Sequence, residues 1–114
     1  MTATVASQTQ AASIVNKAVL AITTDGVAAV DNTFGVGFAP RFVQWVDRTN
    51  RITLEWYEGM AQNSAIRTVA AGTRTLDVTN GITLGTAALG TLGQITIKAT
   101  DIPVSSAFSL MAEG

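Results

Sequence analysis

Two glutamates flank an aromatic pair in the stretch "RITLEWYEGM", where Glu55 and Glu58 stand around Trp56 and Tyr57. Paired carboxylates beside aromatic rings are what a sugar-cleaving site requires. One acid protonates the leaving oxygen and the other acts as nucleophile or base. That chemistry needs the carboxyl groups ~5–5.5 Å apart for retention and ~6.5–9.5 Å apart for inversion. Ile52, Leu54 and Trp56 alternate with Thr53, Glu55 and Tyr57, the pattern of a strand with one buried face. Three positions along a strand separate the Cα atoms by roughly 10 Å and turn the side chains to opposite faces. Glu55 is thus expected as a solvated strand residue and Glu58 as the strand's end. Trp56 shares a face with Ile52 and Leu54 and is expected in the core, where burial stabilises by roughly 2–3 kcal/mol. Tyr57 points the other way, and its hydroxyl wants a partner or water, so it is the better surface candidate.

Other chemistry is poorly provided for. The chain has no cysteine and no histidine, which removes disulfides, thiol nucleophiles, the usual zinc sites and any Ser-His-Asp arrangement. Carboxylates, Lys17, Lys98, Tyr57 and hydroxyls remain. Gly35-Val36-Gly37 lacks the third glycine and following helix of a dinucleotide fingerprint. Asp25, Asp31 and Asp47 lack the spacing of a calcium loop, and Asn32-Thr33-Phe34 is not a glycosylation sequon. These residues point away from an enzyme, a cofactor, a metal site and a small-molecule substrate.

With 114 residues the chain has the size of one domain. Its 47% hydrophobic and 13% charged residues exclude overall disorder, and the charged share is about half the usual one. A surface so poor in charge suggests that a partner covers part of it. Seven basic and eight acidic residues give a net charge of −1. Arg48, Arg51, Arg67 and Arg74 are interleaved with acids, so no phosphate-binding stripe forms and nucleic acid is not expected as a partner. No apolar run approaches the roughly 20 residues of a membrane span. The stretch "MTATVASQTQAAS" has neither the basic start nor the apolar run of a secretion signal, so synthesis and use without Sec export are expected.

The elements that must position these residues read as strands. Short runs rich in Thr, Val and Ile are broken by turn residues. Residues 13–24 begin the ordered part, with a turn at Thr24 to Gly26, and residues 27–38 make one or two strands. Residues 41–47 and 51–58 form a hairpin around Asp47 to Asn50. A three-residue loop would put Phe42 and Val46 on its core face, whereas a four-residue loop would put Val43 and Trp45 there. Trp45 is accordingly either core or interface. Residues 60–72 read as a loop with a short strand, or as a short helix over residues 65–72. Residues 73–84 read as a second hairpin turned at Asn80-Gly81. A Gly-rich mobile loop over residues 85–93 and strands over residues 94–102 and 107–113 complete the chain. The expected fold is an all-β antiparallel sandwich spanning residues 13–114, with residues 1–12 as an extended N-terminal arm.

One long pattern goes further. Gly37-Phe38, Pro40-Arg41, then Glu55-Trp56, Gly59-Met60 and Gly72-Thr73-Arg74-Thr75-Leu76 resemble a group of small virion proteins of tailed bacteriophages. The resemblance spans residues 35–84 and is looser elsewhere. It implies a cement or decoration protein, a β-sandwich of jelly-roll type on the capsid surface, made in the host cytoplasm. Its partner would be the major capsid protein, with self-association as dimer or trimer and no catalysis, nucleic acid or membrane involved. Candidate contact residues for such a role are Trp45, Tyr57 and Met60 and, on the arm, Val5, Gln8 and Gln10. A carbohydrate-binding or tail-associated β-sandwich, with Tyr57 or Trp45 stacking on sugar, is the alternative.

Overall fold

The computed structural model describes residues 3–11 by main chain only, and residues 17–86 and 90–114 in full. These residues are all-β apart from one 3-10 turn, Ala99–Asp101. The strands are β1 (Ala3–Ala11), β2 (Lys17–Thr24), β3 (Asn32–Gly35), β4 (Phe42–Asp47), β5 (Ile52–Tyr57), β6 (Ser64–Thr68), β7 (Arg74–Leu84), β8 (Gln94–Ile97) and β9 (Ala107–Glu113). Every pairing is antiparallel, in one sheet of order β1-β2-β9-β4-β5-β6-β7-β8-β3. Among the described residues no helix is long and apolar enough to cross a membrane.

The sheet curls on itself, and aromatic rings record the curl. Phe34 of β3 stacks on Trp45 of β4 with centroids 5.7 Å apart, although four strands lie between β3 and β4 in the sheet. Trp45 stacks in turn on Phe108 of β9 at 4.7 Å. Period-two alternation supplies the lining. Ala18, Leu20 and Ile22 of β2, Val43 and Trp45 of β4, Leu54 and Trp56 of β5, and Phe108, Leu110 and Ala112 of β9 are all buried. One face of a single sheet therefore wraps around its own core.

The register of the first hairpin is settled by its turn. Asp47 pairs with Ile52, leaving four loop residues, so Val43 and Trp45 face inward. The buried Asp47 carboxylate accepts the backbone N–H groups of Thr49 and Asn50 at 3.0 and 2.9 Å, and Asn50 Nδ2 at 2.9 Å. Arg51 closes the turn in the left-handed region, with φ 59°, donating its N–H to the Asp47 carbonyl at 2.8 Å.

Other expectations need correction. Residues 1–12 were expected as an extended arm, frayed or held by a neighbour; instead Ala3–Ala11 pairs within the chain along β2, from Ala3↔Thr24 to Ala11↔Lys17, interrupted by a bulge between Val5 and Ser7. Pairing there satisfies main-chain groups of β2 that β9, on its other side, cannot reach. Residues 13–16 lie outside the described residues, as do 87–89 of the expected mobile loop. Residues 27–31 are not a strand, and residues 65–72 are not helical: they hold β6 and the turn after it.

The hairpin expected at Asn80-Gly81 is absent. β7 continues in one direction, but adjacent β6 residues Ala65 and Ser64 pair with Asp77 and Ile82, so residues 78–81 bulge outward. Asp77 Oδ1 accepts the N–H groups of Thr79 and Asn80 and shapes the bulge. Gly81 returns to β6 by donating its N–H to the Asn63 carbonyl at 3.1 Å. A Cβ on Gly81 would stand 2.1 Å from the Ser64 carbonyl carbon, so close approach of two main chains requires this glycine. Gly81→Ala should therefore cost at least about 2 kcal/mol, and Asn80→Ala, whose side chain makes one long contact, less than about 1 kcal/mol. Urea denaturation of the two variants measures the difference, and equal losses would contradict the close-approach account.

Candidate functional site

Glu55 and Glu58 engage different partners. Glu55 and Tyr57 lie on one face of β5, two positions apart, and the Tyr57 hydroxyl donates to Glu55 Oε2 at 2.6 Å. Arg74 of β7 approaches Glu55 Oε1 at 3.3 Å. Glu58, past the strand's end, pairs instead with Arg41 at 3.2 Å. The two carboxylates thus serve different cations. The hydrogen bond to Glu55 raises the Tyr57 phenol above its ordinary value, since losing the proton would place a second negative charge beside the first.

What forms around Tyr57 is a surface. Phe42 of β4 packs against the Tyr57 ring with centroids 5.1 Å apart, across the register pair Phe42↔Tyr57. Arg41, Glu58 and Glu113 line a shallow groove beside the two rings. Tyr57 is 41% exposed. Met60 is half-buried, packs on the core from its rim, and receives the Tyr57 N–H on Sδ at 3.2 Å. Trp45 must be withdrawn as a contact or sugar platform. It is 1% exposed, stacked between Phe34 and Phe108, and its Nε1–H donates to the Asp101 carbonyl at 3.0 Å. Trp56 is core as expected, with Nε1–H donating to the Ala61 carbonyl at 3.3 Å. Val5, Gln8 and Gln10 stand opposite Ile22, Leu20 and Ala18 in the β1–β2 register; their side chains lie outside the description.

The principal charged cluster went unread in the sequence. Arg67 of β6 donates to both carboxylate oxygens of Asp101, 34 positions away, and to Asp77 Oδ2 at 2.9 Å and the Asn80 carbonyl at 3.3 Å. The Asp101 side chain is 3% exposed and that of Arg67 15%. The hydrogen bond to Asp101 raises the guanidinium further above its ordinary value, so it stays charged. The Asp77 carboxyl is lowered to about 2, chiefly by the N–H groups of Asn80 and Thr79 and then by Arg67. No motif marks these residues, because three separate elements bring them together. Among the described residues, no group of three or more acidic side chains is placed to hold a metal ion.

The cluster is positioned to hold the fold, with every member engaged by another. No protein-family model, curated protein or solved structure matches the chain.

Two outcomes are expected from this geometry. Arg67→Met should cost about 3–5 kcal/mol in chemical denaturation, because Asp101 would be left buried and uncompensated. A loss under about 1 kcal/mol would show the pair to be marginal. Asp77 is held ionised to lower pH in the folded chain than its ordinary value of 3.8. Its contribution is therefore present above about pH 4 and lost as the pH falls toward 2, on the order of 1–2 kcal/mol. Asp77→Asn should flatten the stability difference between pH 6 and pH 2.5 by about that amount.

Proposed function

We propose that this chain is a structural protein of a tailed-phage virion, a decoration protein that binds the outside of the head shell and bridges major capsid subunits. Its location would be the capsid surface after synthesis in the host cytoplasm. The observation that carries this reading is the edge of the sheet. β1 offers nine residues paired on one side only, and "ATVASQTQA" contains no charge and no proline. Natural edge strands are commonly blunted by such residues. An unblunted one suits addition of a partner's strand, and repetition over a lattice multiplies weak pairings.

Other features agree with a covered surface. Leu76 and Val78 are 64% and 63% exposed. They lie on the half of β7 that β8, pairing only through Ile82 to Leu84, leaves open. The long sequence pattern around Glu55-Trp56 and Gly72 to Leu76 supports the virion class. The finer fold belongs to the same reading. Pairings β2–β9, β3–β8 and β5–β6 nest as in a jelly roll, while β4–β5 and β6–β7 run as a meander beside them. Self-association as dimer or trimer through an open edge fits the same logic.

One observation favours the carbohydrate-binding reading as a second: exposed Tyr57 and half-buried Phe42 pack together beside Arg41 and Glu58, rings and hydrogen-bonding groups together. A glycan array on the isolated chain discriminates, since reproducible sugar binding lost in Tyr57→Ala would favour it over the capsid. For the leading reading, removal of residues 1–12 should lower occupancy on expanded shells at least about tenfold. The free chain should stay folded, because β2 keeps its pairing with β9, with a thermal transition lowered by the lost β1–β2 pairing. Unchanged occupancy would remove the edge from the mechanism.

A further inference from the structure

At the end of the sheet where Trp45 meets Asp101, three connections are tied together. Asp25 accepts the Ser105 N–H on its carbonyl at 2.8 Å. Asp31 accepts the Ala99 N–H on Oδ1 at 2.8 Å, and Thr49 accepts the Ala107 N–H on Oγ1 at 2.9 Å. Between the β4–β5 turn and residues 100–103 they leave a recess of about 190 Å³. Trp45, Ile52 and Pro103 make its apolar walls, Asp47 and Asp101 its acidic ones, and exposed Thr100 its lip. A void of roughly 150 Å³ walled by hydrocarbon takes a benzene-sized guest. This one is similar in size and differs in charge.

Charge decides what fits. Asp101 is met by Arg67, but the same guanidinium serves Asp77, so one positive charge stands against two negative ones. Asp47 is 2% exposed, and its oxygens accept only neutral N–H groups, from Thr49 and Asn50. Among the described residues no ion pair reaches Asp47. The neighbouring cations do not close the gap: Arg48 donates its guanidinium to the Phe108 carbonyl at 3.2 Å, and Arg51 is exposed. A buried carboxylate without a cation is costly, so the recess gains from a guest that brings one. An anion would meet like charge. A bare divalent ion would need six or more oxygen ligands, which these walls do not offer. An ammonium on a short hydrocarbon stem satisfies both kinds of wall.

We propose that this recess binds a primary alkylammonium group, of the kind a lysine side chain presents, with its stem against Trp45, Ile52 and Pro103 and its head at Asp47. The site uses no residue of β1 and does not depend on the virion reading.

The test is a titration of the full ¹⁵N-labelled chain with n-butylammonium, and separately with n-butanol as the uncharged probe of similar shape. The expected result is saturable shifts at the Trp45 indole N–H and the Thr49 and Asn50 amides, with millimolar affinity for the amine and about tenfold weaker binding of the alcohol. Asp47→Asn, which keeps an oxygen to cap the turn, should abolish that preference. Thr100→Trp, placed at the exposed lip, should fill the recess and abolish the shifts, and it decides the matter if the Asp47 variant fails to fold. Equal binding of the alcohol, no saturable shift, or amine binding undiminished in Thr100→Trp would each overturn the proposal. Nα-acetyl-lysine methylamide separates the sources. Binding as tight as n-butylammonium assigns the site to a protein lysine, and its exclusion while n-butylammonium still binds assigns it to a free amine.

Discussion

Trp45 and Asp101 make the joint on which this molecule closes. The indole lies between Phe34 of the last strand in the sheet and Phe108 near the sheet's middle, with its N–H on the Asp101 carbonyl. The Asp101 carboxylate then takes Arg67 from β6, and Arg67 takes Asp77 and Asn80 from β7. A curled sheet has little to hold its far ends together except what meets across the core. Here a ring stack and a buried ion pair are joined by one hydrogen bond, from the Trp45 indole to the Asp101 carbonyl, so apolar closure and polar satisfaction occur side by side. A buried ion pair adds less stability than its Coulomb attraction implies, but breaking it is expensive, which favours one arrangement of β6, β7 and the 3-10 turn over near alternatives.

That arrangement consumes the groups that might otherwise do chemistry. Tyr57 is bonded to Glu55, Glu58 to Arg41, and Arg67 to Asp101 and Asp77. Among the described residues, what stays open includes main chain at the sheet edges, exposed apolar side chains such as Leu76 and Val78, and a recess with an acidic wall.

Much of the fold was legible where the information is local. Alternation in β5 placed Ile52, Leu54 and Trp56 together, and Asp47 with Asn50 marked the first turn. The choice between two registers for β4 turned on one loop residue, and the left-handed Arg51 made the longer loop. Asn80-Gly81 misled because glycine serves two purposes. It reverses a chain, and it also lets two chains touch; at Gly81 the second applies. The first twelve residues read as an arm because they are polar and small, a composition that does not reveal whether another strand lies alongside. Among the candidate contacts, the exposure of Tyr57 was legible from its parity on β5, whereas the burial of Trp45 was not, because its face depended on the register of β4.

By itself the sequence determined that the chain is built of strands, which side of most strands turns inward, and that thiol and imidazole chemistry are absent. Those properties follow from residue type and a period of two positions along an extended chain. Only the tertiary structure decided which strands are neighbours, that β7 bulges instead of reversing, and that Arg67, Asp77 and Asp101 form one cluster. Each of these depends on where the chain returns after tens of residues. That is set by the packing of a whole core around Trp45, and no short stretch of sequence encodes it.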